Sequence, residues 1–139
     1  MKKILSILMV LFVVSVFVNC QNKKVETTQS TAGLKTVYFD YDRSYIRTDA
    51  ALSLQGNASY MKQSSGSSVV IEGHCDNRGS NEYNLALGQR RADASRDYLA
   101  NLGVERNRMR TTSYGEEKPV CYQNEESCWQ RNRRADFRQ

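Results

Sequence analysis

The chain has 139 residues, of which 40% are hydrophobic and 25% are charged, with a formal net charge of +5 and a single histidine. This length leaves room for one compact domain plus a short appendage and excludes a multidomain enzyme. The first 19 residues carry two lysines and no acid, so their removal lowers the net charge from +5 to +3. So weak a positive balance does not predict binding to nucleic acid.

An apolar run over residues 4–18 is interrupted only by Ser6 and Ser15, and it follows two lysines. The run is shorter than the roughly 20 apolar residues that a membrane-spanning helix needs. It therefore predicts an export signal over residues 1–19. A short uncleaved membrane anchor is the alternative interpretation.

Cys20 directly follows this run, at the position where bacterial lipoprotein precursors carry the cysteine that becomes acylated. The segment resembles a lipobox, although Asn19 departs from the small residue that usually precedes the cysteine. An ordinary secretion signal with an unmodified cysteine is the competing interpretation. Acyl chains on Cys20 would anchor the protein stably, at about 0.8 kcal/mol per buried methylene. The residue after the cysteine is Gln21 and not Asp, and in this the segment resembles lipoproteins that are sorted to the outer membrane.

Residues 20–34 predict a flexible tether, because they contain no aromatic residue and have little periodicity. A flexible segment of this length has a mean end-to-end span of roughly 20 Å. The folded domain, expected over residues 35–139, would then lie close to its membrane.

Six segments of the remaining sequence predict regular structure, from β-branched runs, helical periodicity and capping residues. They are strands over 35–40, 68–75, 109–114 and 135–138, and helices from the N-cap Thr48 to Gln63 and from the N-cap Ser80 to Leu102. The order βαβαββ predicts an α+β sandwich, with helices packed on one face of a small mixed sheet.

The long second helix is expected to bury an apolar stripe. Leu85, Ala92, Leu99 and Leu102 form that stripe, and Leu87, Ala94 and Tyr98 lie on the adjoining face.

Cys121 and Cys128 bracket a single polar loop, and in an exported protein we expect them to form a disulfide. Closing so short a loop contributes about 2–3 kcal/mol to stability in the loop-entropy model. Zinc binding with His74 and Cys75 is the competing interpretation. Because adjacent residues of a strand point to opposite faces, we expect no metal site there.

The same geometry disfavours a nucleophilic pair of Cys75 and His74, whose side chains would have to meet within hydrogen-bond distance. Four carboxylates remain available for acid–base chemistry: Asp40, Asp42, Glu72 and Asp76. Nothing in their spacing indicates hydrolysis, so we expect no catalytic residues and no cofactor.

Asn84, Leu87 and Arg91 lie at helical spacing on one face of the long helix, and Asp76 lies in the turn before it. Asp76 and Arg91 could therefore converge on one site. A plain structural ion pair is the alternative.

Five blocks of the sequence, in order, resemble the OmpA-like peptidoglycan-binding domain. They are VYFDYD at 37–42, IEGHCDNRG at 71–79, NLALGQRRA at 84–92, SYGEEKP at 113–119 and NRRA at 132–135. The resemblance covers residues 35–139. It implies the OmpA-like fold and binding to the stem peptide of peptidoglycan, mainly through its diaminopimelate residue.

The resemblance also implies a role for individual residues. Asp76 matches the aspartate that receives the ligand's ammonium, and Arg91 matches the arginine that receives a carboxylate. Asn84, Arg133 and Asp42 match positions that complete the pocket, and Arg78 is expected beside it. The physical chemistry is consistent with this, since one carbon of diaminopimelate carries both an amine and a carboxylate.

Three functions therefore compete at this point. The first is a non-catalytic lipoprotein that links outer membrane to cell wall and, as the resemblance implies, has the periplasmic protein TolB as a partner. The second is an OmpA-like lipoprotein of another envelope assembly, such as a secretion or motility apparatus or a surface antigen. The third, an enzyme acting on the wall, is the least favoured.

Overall fold

A computed structural model of the chain describes residues 33–64 and 66–139. The expected export signal, Cys20 and most of the expected tether lie outside these residues. None of the helices described is both long and apolar enough to cross a membrane.

The described residues form four strands, three helices and one turn of 3-10 helix. The strands are β1 (Val37–Tyr38), β2 (Val69–His74), β3 (Met109–Gly115) and β4 (Arg134–Arg138). The helices are α1 (Thr48–Gln63), α2 (Asn81–Asn101) and α3 (Glu126–Asn132), and the 3-10 turn is Arg106–Arg108. The predicted α+β class is confirmed, but α3 was not predicted. It has only seven residues and no apolar repeat, so no helical periodicity marks it in the sequence.

The two long helices begin in different ways. Ser80 caps α2 as predicted, since its hydroxyl accepts a hydrogen bond from the backbone N–H of Tyr83 at 3.2 Å. The prediction of Thr48 as the cap of α1 is wrong, because Arg47 occupies that position and makes no side-chain cap. Arg47 instead pairs with Asp49 in the first turn, at 3.0 Å.

The strands form one mixed sheet in the order β1-β4-β2-β3. β2 pairs in parallel with β3, whereas β4 pairs antiparallel with both β1 and β2. The two long helices pack on one face of this sheet, as predicted. The core between the layers includes fully buried side chains from every layer, among them Val37, Phe39, Leu54, Met61, Ile71 and Leu99.

The predicted apolar stripe of α2 is only partly correct. Leu85 is 36% exposed, whereas Asn84, Gly88 and Arg91 are buried on the face that contacts the sheet. The reason is a close contact between two glycines: a Cβ built on Gly73 would overlap the carbonyl oxygen of Gly88. This contact fixes which face of α2 is buried, and it places the polar side chains of Asn84 and Arg91 next to the end of β2.

The start of the described chain is held by the domain. Leu34, expected in the tether, packs against the hydrophobic core. The backbone N–H of Lys35 donates to the side-chain oxygen of Asn57 at 2.7 Å, and the Asn57 amide donates back to the Lys35 carbonyl at 2.8 Å. Asn57 is fully buried in α1, so this reciprocal pair joins the entry point of the chain to a helix.

Candidate ligand-binding site

A cavity of about 230 Å³ lies at the end of β2. Its walls come from the loop after β1, the turn after β2 and the first three turns of α2. They are formed by Tyr41, Asp42, Cys75, Asp76, Arg78, Gly79, Tyr83, Asn84, Leu87 and Arg91. Five of the six predicted ligand-binding residues line it, and the sixth, Arg133, contacts one of those five.

Asp76 is the buried acid of the cavity, with 3% of its surface exposed. Its Oδ2 accepts hydrogen bonds from Arg78 Nη2 at 2.7 Å and from Arg133 Nη1 at 3.1 Å. Burial alone would raise the pKa of this carboxyl, but the hydrogen bonds from the two arginines hold it below its ordinary value. Asp76 therefore carries a negative charge at neutral pH.

Arg91 is completely buried, and backbone carbonyls receive most of its N–H groups. Its Nε donates to the carbonyl of Arg43 at 2.8 Å, its Nη1 to that of His74 at 2.8 Å, and its Nη2 to that of Asp40 at 3.0 Å. Burial lowers the pKa of this guanidinium. Arg91 thus lines the cavity and also joins α2 to the loop after β1 and to the end of β2.

The structure places Asp76 and Arg91 in one cavity but does not pair them directly. The carboxylate is bonded to Arg78, two residues along the chain, and to Arg133 from the junction of α3 and β4. Arg133 is 2% exposed and donates also to the carbonyl of Phe39 at 3.1 Å. The local ion pair of Asp76 and Arg78 is the feature that sequence reasoning missed.

Asn84 organises the turn that carries Asp76. Its amide donates to the carbonyl of Asp76 at 3.2 Å and to Oε2 of Glu116 at 2.6 Å. Gly79 closes the same turn with φ of +115°, a conformation that favours glycine. Asn84 therefore acts on the site through the backbone of the turn.

Asp42 forms the outer rim of the cavity. Its φ of +52° lies in the left-handed region, which Asp tolerates better than most residues. Its carboxylate accepts a hydrogen bond from the hydroxyl of Tyr83. Asp42 is exposed, so its charge is available to a ligand entering the cavity.

Two aromatic side chains flank the site, and the sequence alone did not indicate a role for either of them. The guanidinium carbon of Arg78 lies 4.0 Å from the centre of the Tyr41 ring and 4.1 Å from that of the Trp129 ring. Trp129 follows Cys128, which the structure joins to Cys121 in a disulfide with Cα atoms 5.2 Å apart. A smaller cavity of about 90 Å³ lies beneath this loop.

Cys75 lies between the two cavities and is 3% exposed. Burial raises the pKa of its thiol to about 11, so it is protonated at neutral pH. The thiol points toward α2, where it lies 3.3 Å from the carbonyl of Asn84. His74 points away, toward the ring of Tyr114, which confirms that the two side chains lie on opposite faces of the sheet.

On that opposite face, Glu72, His74 and Asp136 are the described residues that come nearest to a metal-binding group, with ligand atoms within 4.8 Å of one another. Arg134 Nε already lies 2.9 Å from Asp136 Oδ2, and Arg138 Nε lies 3.6 Å from Glu72 Oε2. A divalent cation would have to compete with these two guanidinium groups, so the group is better described as an ion cluster.

The buried imidazole of His74 should make the free energy of unfolding depend on pH. Burial, together with the charge of Arg134, lowers its pKa to about 4, against an ordinary value of 6.5. Between these pH values the unfolded chain binds a proton that the folded chain does not. The free energy of unfolding should therefore be highest above pH 6.5 and should fall by on the order of 2–3 kcal/mol as the pH drops to 4.

Urea unfolding at pH 7 and pH 4.5 measures this loss. Because His74 is the only histidine, a His74→Gln variant should lose most of the pH dependence in this interval. An equal loss in parent and variant would contradict the assignment.

The comparisons with known proteins agree on one family. A model of the OmpA family matches residues 38–133. The peptidoglycan-associated lipoprotein of Brucella melitensis is 54% identical over 99 residues, and the match spans 71% of this chain but only 59% of that relative's length. The peptidoglycan-associated lipoprotein of Pasteurella multocida is 38% identical, with 97% of both chains aligned.

Solved structures give the same result for the fold. The crystal structure of the peptidoglycan-associated lipoprotein from Burkholderia pseudomallei has a TM-score of 0.71 at 44% identity, covering 73% of this chain and 86% of that one. The C-terminal domain of Helicobacter pylori MotB has a TM-score of 0.69 at 20% identity, a likeness of fold alone.

Proposed function

This chain belongs to the OmpA family, and on that premise we propose that it is a lipoprotein that binds the stem peptide of peptidoglycan without catalysing its turnover. The observation that carries the proposal is the buried, negatively charged Asp76 in a cavity bordered by Arg78 and Arg91. Its relatives' names, which refer to association with peptidoglycan, support the same ligand.

The chemistry of the cavity fits the diaminopimelate residue of the stem peptide. The free end of that residue carries an ammonium and a carboxylate on one carbon, so a binder needs an acid and a base a few ångströms apart. Asp76 is proposed to receive the ammonium, and the cavity-facing edge of Arg91 to contact the carboxylate. Asn84, Arg133 and Asp42 would complete the pocket by holding the turn, by holding the acid and by adding charge at the rim.

One such site should bind with moderate strength, because a hydrogen bond to a charged group contributes about 1.5–3 kcal/mol. Firm attachment would come from many copies held beside a repeating ligand. Export over residues 1–19, acylation of Cys20 and a short tether would place those copies on the outer membrane with the domain facing the periplasm.

In this proposal the protein links outer membrane and cell wall and supports envelope integrity and cell division. TolB is the proposed periplasmic partner, which retention of TolB on the immobilised protein would test. A protein of another envelope assembly would bind sacculi equally well but would not retain TolB.

Sedimentation with purified sacculi tests the binding itself. The full chain in detergent should sediment with sacculi that contain diaminopimelate, should be released by free diaminopimelate, and should liberate no soluble fragments. Failure to sediment would contradict the proposal. Release of soluble muropeptides would indicate an enzyme instead.

A further inference from the structure

The side chain of Arg78 is held between two aromatic rings. Its guanidinium carbon lies about equally far from the ring centres of Tyr41 and Trp129, at 4.0 and 4.1 Å. At these distances each ring contributes a cation–π attraction to the guanidinium. Trp129 is itself fixed, since its Nε1 donates to Asn77 Oδ1 at 2.9 Å.

In this position Arg78 binds the carboxylate of Asp76, which is proposed to receive the ligand's ammonium. Its Nη2 lies 2.7 Å from Asp76 Oδ2 and its Nε lies 3.3 Å from Oδ1. The carboxylate of Asp76 already accepts four hydrogen bonds, three from the side chains of Arg78 and Arg133 and one from the backbone N–H of Arg78, so a ligand ammonium has to replace one of these donors. The two side chains that bind Asp76 differ in burial, because the side chain of Arg133 is 3% exposed and that of Arg78 is 30% exposed.

Arg133 is also held by additional partners. It donates to the carbonyl of Phe39 at 3.1 Å and to Gln130 Oε1 at 2.5 Å. Apart from Asp76, the acid nearest to the Arg78 guanidinium is Glu126, at 3.6 Å. Arg78 is therefore the cation that can leave Asp76 at the lower cost.

Arg91 has only one N–H group left for the ligand carboxylate that it is proposed to contact, so the carboxylate needs a second donor. An arginine carries five N–H groups. Three of those on Arg91 bond to the carbonyls of Asp40, Arg43 and His74, and its Nη1 also lies 3.4 Å from the Cys75 sulfur. A released Arg78, in contrast, would present a forked pair of donors at the mouth of the same cavity.

We propose that Arg78 determines specificity by exchanging partners: it gives up Asp76 to the ligand's ammonium and takes the ligand's adjacent carboxylate in return. This inference rests on the proposed function. A ligand that brings both charges on one carbon replaces one ion pair by two. A ligand that brings an ammonium alone, such as a lysine side chain, leaves Arg78 without a partner. The site thus selects diaminopimelate over lysine by penalising the incomplete ligand.

NMR titration of the full chain in detergent with meso-diaminopimelate and with a capped lysine, whose only ammonium is on the side chain, tests this exchange. The parent should prefer diaminopimelate. In Arg78→Gln the affinity for diaminopimelate should fall and that for the capped lysine should rise slightly, so that their ratio drops about tenfold, as expected for one charge-assisted contact. Arg78→Lys, which keeps the charge but loses the fork, should fall between the two. Arg110→Gln, an exposed arginine on the other face of the sheet, is the matched control and should keep the parent's ratio.

The two possible failures can be told apart. If the parent binds diaminopimelate and Arg78→Gln weakens both ligands equally, or neither, the exchange is overturned while the proposed function stands. If the parent binds neither ligand, the proposed function falls, and the exchange falls with it. In the parent, movement of the Arg78 Nε–H resonance on titration would report the change of partner directly.

Discussion

Replacing Gly73 with alanine is expected to remove a large part of the stability of the fold at 25 °C. The added Cβ would overlap the carbonyl oxygen of Gly88, and it would lie 2.6 Å from the carbonyl carbon and 3.1 Å from the Cα of that residue. These are backbone atoms of α2, so no side-chain rotation relieves the overlap. We expect a loss of more than about 4 kcal/mol, against the 5–15 kcal/mol that stabilises a typical domain.

Urea unfolding followed by far-UV circular dichroism measures this loss, and two other glycines serve as controls. At Gly88 the atom nearest to the added Cβ would be the hydroxyl oxygen of Ser113, which can rotate away, and the carbonyl oxygen and carbon of Gly73 would lie at 3.0 and 3.2 Å. This backbone contact is less severe than the one at Gly73, so Gly88→Ala should cost less. At Gly66 no atom lies within 4 Å, and Gly66→Ala should be close to neutral. A Gly73→Ala protein within about 1 kcal/mol of the parent would show that the two layers can separate freely, contrary to this packing.

Asp76→Asn is expected to weaken binding to sacculi by ten- to hundredfold. The substitution keeps the size of the side chain but removes the charge proposed to receive the ligand's ammonium, a contact of about 1.5–3 kcal/mol. Stability should fall as well, because the buried Arg133 loses one of its two carboxylate partners and keeps only Glu126. Both effects should be measured, by sedimentation with sacculi and by urea unfolding.

Asp49→Asn is the control, since Asp49 is an exposed acid that pairs with Arg47 away from the cavity. It should bind sacculi as the parent does. An Asp76→Asn protein that is folded and still sediments like the parent would remove Asp76 from the site. Arg91→Ala is a less informative test, because it also strips hydrogen bonds from three carbonyls and is expected to destabilise the fold.

Most of the fold could be predicted because its long elements carry strong local signals. The apolar repeat of α1 and the Ser80 cap of α2 depend only on neighbouring residues, and the structure has both helices near the predicted bounds. The helix α3 has no such signal, since it is short and polar. The buried face of α2 depends on the contact between Gly73 and Gly88. These two residues are distant in the sequence, and no hydrophobic periodicity in the sequence indicates their contact.

The candidate site divides in a similar way. Asp76 and Arg91 could be predicted to share a cavity because one ends a strand and the other lies on the adjoining helix face. Their actual partners could not be predicted. Which of several arginines reaches a carboxylate depends on side-chain paths in three dimensions, and the carbonyls that bind Arg91 converge only when β1, β2 and α2 have packed together.

The reciprocal hydrogen bonds between Lys35 and Asn57 have a mechanical consequence. In the proposed function, the domain is attached to the membrane at its N-terminal side and binds the wall through the cavity, so it would carry load between these two points. Tension would then enter the domain at Lys35 and reach first the two Asn57 hydrogen bonds and then the short pairing of Val37 with Ala135. β1 runs directly from that entry point to the loop that borders the cavity. Force would therefore run through the strand from anchor to ligand while the core beneath remains largely unloaded.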